Sequence, residues 1–290
     1  MEQVSISIAD IHFDLKSQFT VDELKIRPRY LPFFGRPKNP QYHVDLLWEA
    51  FSGPSTIPAK LIYDPGEIWK MYQHGSEYFA TFSYHGDTLP FAEQDMLRTN
   101  AKWNQVLMVE RPTGPSWLSL LNVGAGELIL RTAVLYTRGV VFHASGIDDY
   151  GKGILFVGHS GAGKSTQALL WQREASIKAL NDDRVVARVT PEGVRCYGTP
   201  WGGTAEIASN HSVPLAAIIV LEQANENIIR PVPIAQISST LLPRVFLPYW
   251  DSELMDLAMS NLEAIIARVP VYCLKCRPER EVIPMVRSVL

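Results

Sequence analysis

Eight consecutive residues, Gly158-His159-Ser160-Gly161-Ala162-Gly163-Lys164-Ser165, satisfy the pattern G-x-x-x-x-G-K-[ST]. Each position has a chemical reason. Glycines admit backbone angles that turn consecutive N–H groups toward one point, which makes a concave anion nest. A helix beginning near Gly163 adds the positive end of its dipole. The Lys164 ammonium reaches β- and γ-phosphates, and the Ser165 hydroxyl is a hard ligand for the Mg²⁺ that bridges phosphate oxygens. Gly158–Thr166 therefore predicts a site for ATP with Mg²⁺. The competing reading is a glycine-rich turn that binds nothing. The flanks favour the nucleotide: Ile154-Leu155-Phe156-Val157 reads as the strand before the loop, and Thr166–Glu174 as the helix after it.

A phosphate loop names a ligand and not a reaction. The chemistry must come from elsewhere, and Asp182 and Asp183 are the first candidates. They follow a short apolar segment, Ile177–Leu180, soon after the loop's helix. Of two adjacent carboxylates, one can hold metal while the other accepts a proton from an attacking hydroxyl. Asn-Asp is also ordinary turn chemistry, so a plain polar turn stays open. His143 sits on an apolar run, where a histidine serves either as a core residue or as a proton-handling group.

Three segments together carry a resemblance: His143-Ala144-Ser145-Gly146, the loop Gly158–Thr166, and Leu180-Asn181-Asp182-Asp183-Arg184-Val185. In order and spacing they resemble the catalytic domain of HPr kinase/phosphorylase, and more closely the HPr-kinase-like proteins of bacteria, a group sharing its fold with phosphoenolpyruvate carboxykinase. The resemblance covers roughly residues 126–205. It implies that Asp182 is the general base, that Asp183 helps bind Mg²⁺, and that His143 sits beside Asp182 and orients it. Lys164 and Ser165 keep their phosphate and metal roles. The Glu-Ile-Arg-Gly-Leu-Gly signature of the bifunctional members is missing here. In its region lies Tyr197-Gly198-Thr199-Pro200-Trp201-Gly202-Gly203-Thr204-Ala205-Glu206. The resemblance therefore does not extend to HPr as acceptor or to phosphorylase activity.

Weaker signals surround this set. Gly198–Glu206 is a second glycine-rich loop. Trp201 could stack on a base or substrate there, and Glu206 could contact metal or substrate; a surface turn is the alternative. Glu222 ends an apolar run and reads as a strand-end charge. Arg230 and Arg244 could face a γ-phosphate, but their neighbourhoods select neither. Cys273-Leu274-Lys275-Cys276 is a lone C-x-x-C, short of the four ligands that structural zinc takes.

The elements that position these residues differ between the two parts of the chain. Residues 1–125 are dense in Pro and Gly, which shortens helices and favours strands and loops. Val4, Ile6 and Ile8 alternate with polar neighbours as in a half-buried strand. Glu77–Tyr84, ended by His85-Gly86-Asp87, and Gln105–Glu110 read as two more. From residue 126 to 290 the pattern is α/β. A helix is predicted over Glu127–Arg138, a short strand over Val140–His143 and a turn over Asp148–Gly153. Leu215–Leu221 reads as a buried strand, Ser252–Val269 as a helix stopped by Pro270, Val271–Leu274 as a strand, and Pro278–Leu290 as a final helix. The expected architecture is a P-loop kinase core of the HPr kinase / phosphoenolpyruvate carboxykinase type, preceded by a β-rich N-terminal region.

Composition bounds the rest. The 290 residues are 47 % hydrophobic and carry a formal net charge of −3. That is enough to bury a sizeable core, with no charge bias toward nucleic acid or an anionic membrane. Three cysteines and an N-terminus without the basic start and apolar block of a signal peptide predict a cytoplasmic protein. The expected function is an ATP- and Mg²⁺-dependent kinase that phosphorylates a hydroxyl, on serine of a peptide or protein or on a small alcohol. The rival is a nucleotide-binding regulator without kinase turnover. The sequence does not fix an oligomeric state, and a homo-oligomer stays open.

Overall fold

The computed structural model describes residues 2–17, 28–35, 42–50, 59–66, 69–82, 95–110, 124–174, 177–277 and 279–290. It is a mixed α/β structure with two large sheets and few helices among the described residues. The chain divides into two compact units. One is Met1–Ala133 with Pro248–Ser252; the other is Val134–Leu247 with Glu253–Leu290.

The N-terminal unit begins with β1 (Glu2–Ile8) and β2 (Ile11–Ser17), an antiparallel hairpin. Its turn residues, Ala9 and Asp10, both have positive φ, as a tight two-residue hairpin turn demands. Next come β3 (Tyr42–Ala50), β4 (Lys60–Tyr63), β5 (Trp69–His74), β6 (Glu77–Phe82), β7 (Asp95–Thr99) and β8 (Gln105–Glu110). They join one sheet in the order β1-β2-β3-β8-β7-β6-β5-β4. Alternation decides the buried face: Ile11, Phe13 and Leu15 of β2 and Val44 and Leu46 of β3 are buried. His12, Asp14 and Lys16 point to the opposite face. The helix α1 (Ala125–Ala133) follows.

In the C-terminal unit the strands are β9 (Gly139–Asp149), β10 (Lys152–Val157), β11 (Lys178–Asn181), β12 (Arg184–Thr190), β13 (Gly193–Tyr197), β14 (Ser212–Gln223), β15 (Ile228–Pro231) and β16 (Val271–Cys276). The helices are α2 (Lys164–Gln172), α3 (Ile234–Leu241), α4 (Ser252–Ile266) and α5 (Val282–Arg287). The sheet runs β10-β9-β12-β13-β14-β16-β15, with β11 on β9 and a further parallel pairing of β10 with β14. Two long strands make this possible. The first half of β9 pairs with β12, and its second half pairs with β10 and β11. Likewise β14 starts against β13 and continues between β10 and β16. Phe156, Ile219, Leu221 and Leu274 from the strands pack with Leu170 and Trp171 of α2 and Ile283 and Val286 of α5.

Several expected boundaries move. The short strand over Val140–His143 is the first part of an eleven-residue strand. Small residues let it continue: a Cβ on Gly146 would lie 3.1–3.3 Å from Val185, Leu155 and Leu180. The expected turn over Asp148–Gly153 contracts to Tyr150-Gly151, both with positive φ. The helix expected to reach Arg138 ends at Ala133 and tightens into a 3-10 turn, Val134–Thr137. The last helix is only Val282–Arg287, and its expected start at Pro278 lies outside the described residues. So do Ser83–Asp87. The strands β12, β13 and β15 and the helix α3 have no counterpart in the expected elements. No described helix is long and apolar enough to cross a membrane.

Candidate functional site: a phosphate loop facing an Asp–His pair

The loop leaves the end of β10, which runs parallel to β14. Gly158 is fixed by space: a Cβ there would come 2.7 Å from Ala162 Cβ and 3.3 Å from the Leu221 carbonyl. Gly161 and Gly163 have φ of 80° and 102°, angles that a Cβ disfavours. Gly163 is the N-cap of α2, and no side chain caps this helix start. The first-turn N–H groups are thus left for an anion. The Ser145 hydroxyl donates to the Lys164 carbonyl at 2.7 Å, tying the helix start to β9.

Lys164 is 7 % exposed and folds back over the loop. Its ammonium donates to the Gly158 and His159 carbonyls, each at 3.2 Å. Burial lowers its pKa, Asp183 opposes that shift, and Arg244 adds to it. Ser160, Gly161 and Thr166 are exposed, and the Gly161 carbonyl accepts from Gln223 Nε2 at 2.8 Å. The Ser165 hydroxyl lies 3.4 Å from the Asp182 carbonyl, which brings the aspartates to the foot of α2.

The two carboxylates occupy different settings. Asp182 is 1 % exposed. Its Oδ1 accepts from the Gly203 and Ile207 N–H groups at 2.7 and 3.1 Å, and its Oδ2 from Ala205 N–H at 2.8 Å. It therefore anchors the second glycine loop. Asp183 is the more accessible acid, its side chain 23 % exposed. His143 Nε2 lies 3.0 Å from Asp183 Oδ1, and Arg184 pairs with Oδ2. Burial alone would raise the Asp183 carboxyl. The His143 hydrogen bond, Arg184 and Lys164 outweigh it and hold the pKa below its ordinary value of 3.8. His143 thus sits beside Asp183 and not beside Asp182, as the resemblance implied.

No protein-family model matches this chain, and no curated protein does. Among solved structures, the HPr(Ser) kinase/phosphatase from Coxiella burnetii is similar over 51 % of this chain and 94 % of that one. Identity is 15 % and the TM-score 0.31, a likeness too slight to carry an argument. The case rests on the chain's own residues.

The two residues singled out on the second glycine loop sit differently. Trp201 is buried to 1 % exposure, in the core and not on an open face where a base could stack. Glu206 is exposed at φ 54° on the turn closed by its own N–H to the Gly203 carbonyl. Glu222 is an exposed strand-end charge, 3.6 Å from Lys275.

Sequence reasoning passed over Asn181, Arg184 and Phe246, and left Arg244 unselected. Asn181 is fully buried; its Oδ1 accepts from the Asp183 and Arg184 N–H groups, each at 2.7 Å, and its Nδ2 donates to the Thr199 and Trp201 carbonyls. An Asn directly before the acids was the available signal, since Asn readily caps such a turn. Arg184 covers Phe246, with its guanidinium 5.4 Å from the ring, and His143 lies tilted against the same ring at 6.0 Å. Phe246 is held there because its N–H donates to the Val141 carbonyl of β9. Arg244, two residues earlier, has a buried Nε without a partner among the described residues.

Proposed function

We propose that the C-terminal unit transfers the γ-phosphoryl group of ATP to a hydroxyl. The observation that carries this reading is the approach of Asp183, with His143 on it, to a lysine-bearing phosphate loop whose helix start is uncapped. A phosphate loop alone would support binding. A carboxylate held ionised beside it adds a proton acceptor.

The roles then divide as follows. The N–H groups at the start of α2 and the Lys164 ammonium hold the phosphates. Arg244 is near enough for its charge to act on Lys164, and its buried Nε–H, without a partner among the described residues, would serve charge building on the γ-phosphate. Asp183 accepts the proton of the acceptor hydroxyl as that oxygen bonds to phosphorus and the bond from phosphorus to the bridging oxygen breaks, releasing ADP. His143 orients the carboxylate. Asp182 shapes the loop Gly203–Ile207 that borders it. This reading moves the base from Asp182, where the resemblance put it, to Asp183 and leaves Asp182 an anchoring role.

Mg²⁺ fits the donors present. The Ser165 hydroxyl makes only a long 3.4 Å contact and would be a hard oxygen ligand. When bound, the ion neutralises charge on the β- and γ-phosphates. The acceptor is serine of a peptide or protein, or a small alcohol; a solvent-accessible His143–Asp183 pair suits either. A cytoplasmic setting belongs to the same reading.

The test is calorimetric titration with ATP and Mg²⁺, paired with transfer of labelled γ-phosphate to water, small alcohols and serine peptides. Binding in the wild type, weakened in Lys164→Ala, with transfer lost in Asp183→Asn, is the expected result. Binding without transfer to any acceptor would support the regulator instead.

A further inference from the structure

A second cluster of chemistry-bearing residues lies in the N-terminal unit, outside the phosphate loop. It comes from the pairing of β2 with β3. These strands are parallel and in register, with His12 opposite His43 and Asp14 opposite Asp45. Side chains two apart on a strand share a face. The sequence His-x-Asp on each strand therefore builds a square of two imidazoles and two carboxylates on one face, opposite the buried Phe13 and Val44.

The separations suit a single ion. His12 Nε2 lies 3.2 Å from Asp14 Oδ1, His43 Nε2 lies 3.8 Å from Asp14 Oδ2, and His43 Nε2 lies 3.2 Å from Asp45 Oδ1. Ligand atoms of His12, Asp14 and His43 all fall within 4.8 Å of one another. Tetrahedral zinc with bonds of about 2.0–2.1 Å has ligand–ligand edges of about 3.4 Å. Very little movement would close the set around an ion.

His12 is 5 % exposed, and its Nδ1 is buried with no hydrogen-bond partner among the described residues. Its Nε2 is the nitrogen turned to Asp14, and the buried ring holds it there. A neutral ring is the form that binds metal. The Asp14 carboxylate lies against both imidazoles and supplies negative charge that a cation would complement. The Ser5 hydroxyl donates to Asp14 Oδ1 at 2.8 Å and so orients that carboxylate, as outer-shell partners of metal ligands do. Mixed imidazole and carboxylate donors select zinc and its neighbours over Mg²⁺ or Ca²⁺.

We propose that His12, Asp14 and His43 form a binding site for a divalent transition-metal ion of the zinc class, with Asp45 beside His43 at its open side. The site has a protected end and an open end. The side chains of His12 and Asp14 are 6 % and 14 % exposed, and those of His43 and Asp45 are 46 % and 62 % exposed. Asp14 and Asp45 also line a cavity of about 460 Å³, walled in part by the Arg98–Glu77 ion pair. An ion enters at the exposed histidine and settles against the buried one.

The experiment is a zinc titration of the full chain, stripped with chelator and dialysed, against a chromophoric zinc indicator. One tight zinc per chain is expected. His43→Ala and His12→Ala should each weaken it at least about 100-fold, since outer-shell changes alone cost 10–100-fold. Cys273→Ser with Cys276→Ser should leave it unchanged; burial first, then Glu222, pushes the Cys273 thiol up to about 11. Substitution by Co²⁺ should give the visible bands of a tetrahedral ion without a thiolate charge-transfer band. Should His12→Ala fail to fold by circular dichroism, His43→Ala at an exposed position decides alone. Zinc affinity unchanged in His43→Ala, loss confined to the cysteine variant, or no zinc bound by the wild type would each overturn the proposal.

Discussion

Replacing Asp183 by Asn keeps the side chain's shape and removes its capacity to take a proton. Transfer should fall by about 10²–10⁴, while ATP affinity changes little. Asp182→Asn should act differently. An amide offers one oxygen where the carboxylate offered two, so at least one of the N–H groups of Gly203, Ala205 and Ile207 loses its acceptor. A buried donor left unpaired costs about 1–3 kcal/mol. The melting temperature should drop, with the glycine loop loosened. Measuring both variants for melting and for transfer separates the roles: a stable Asp182→Asn that transfers nothing would return the base to Asp182. The pH dependence follows from the same contacts. The Asp183 carboxyl titrates lower in the folded chain than unfolded, so its ionised form adds stability above the unfolded value, and this is lost as pH falls through the lowered one. His143→Ala removes the hydrogen bond that lowers it. The acid limb of the rate profile should therefore move to higher pH. A limb that stays in place would reduce His143 to packing on Phe246.

At the scale of elements, the loop works because glycine lets the chain turn where a helix must start. Gly163 at φ 102° is the strictest case. Gly163→Ala forces a Cβ into the left-handed region at a cost of about 1–2 kcal/mol. Unfolding in denaturant should show that loss, and ATP affinity should fall because the α2 amides are re-aimed. Wild-type affinity in this variant would mean that the loop's strain is irrelevant to binding. The loop, its strand and its helix are legible in the sequence because all three are local: a fixed spacing, an apolar run before it and good helix formers after it. The division of labour between Asp182 and Asp183 is not legible, because distant chain makes the difference. Asp182 is occupied by amides of Gly203–Ile207, and Asp183 is met by His143 from β9. Arg244 and Phe246 arrive from a turn far downstream, with no spacing to announce them. The full length of β9 is hidden for a related reason. A strand buried on both faces between β10, β11 and β12 shows no alternation to count. The pair His12/His43 is hidden likewise, since register across parallel strands is not written within either one.

For the whole molecule, the two units give two binding readings that can be scored separately by hydrogen exchange. A ligand that binds only the folded form stabilises it by RT ln(1 + [L]/Kd), about 2.7 kcal/mol at a hundred times Kd. Amides that exchange through opening of the surrounding structure should then slow by roughly a hundredfold. With ATP and Mg²⁺, this protection should appear in the loop and α2, Gly158–Gln172, and in the segment from Asp182 to Ile207 that the Asp182 carboxylate ties together. With zinc it should appear in β2 and β3, Ile11–Ser17 and Tyr42–Ala50, and fade in His43→Ala. Asp183→Asn should leave the ATP protection standing, because that residue handles the proton and not the phosphate anchor; Lys164→Ala should reduce it. Each ligand tests its own site. If ATP leaves residues 158–207 exchanging as fast as before, the phosphate loop binds no nucleotide, and the kinase reading fails whatever zinc does at the N-terminal sheet.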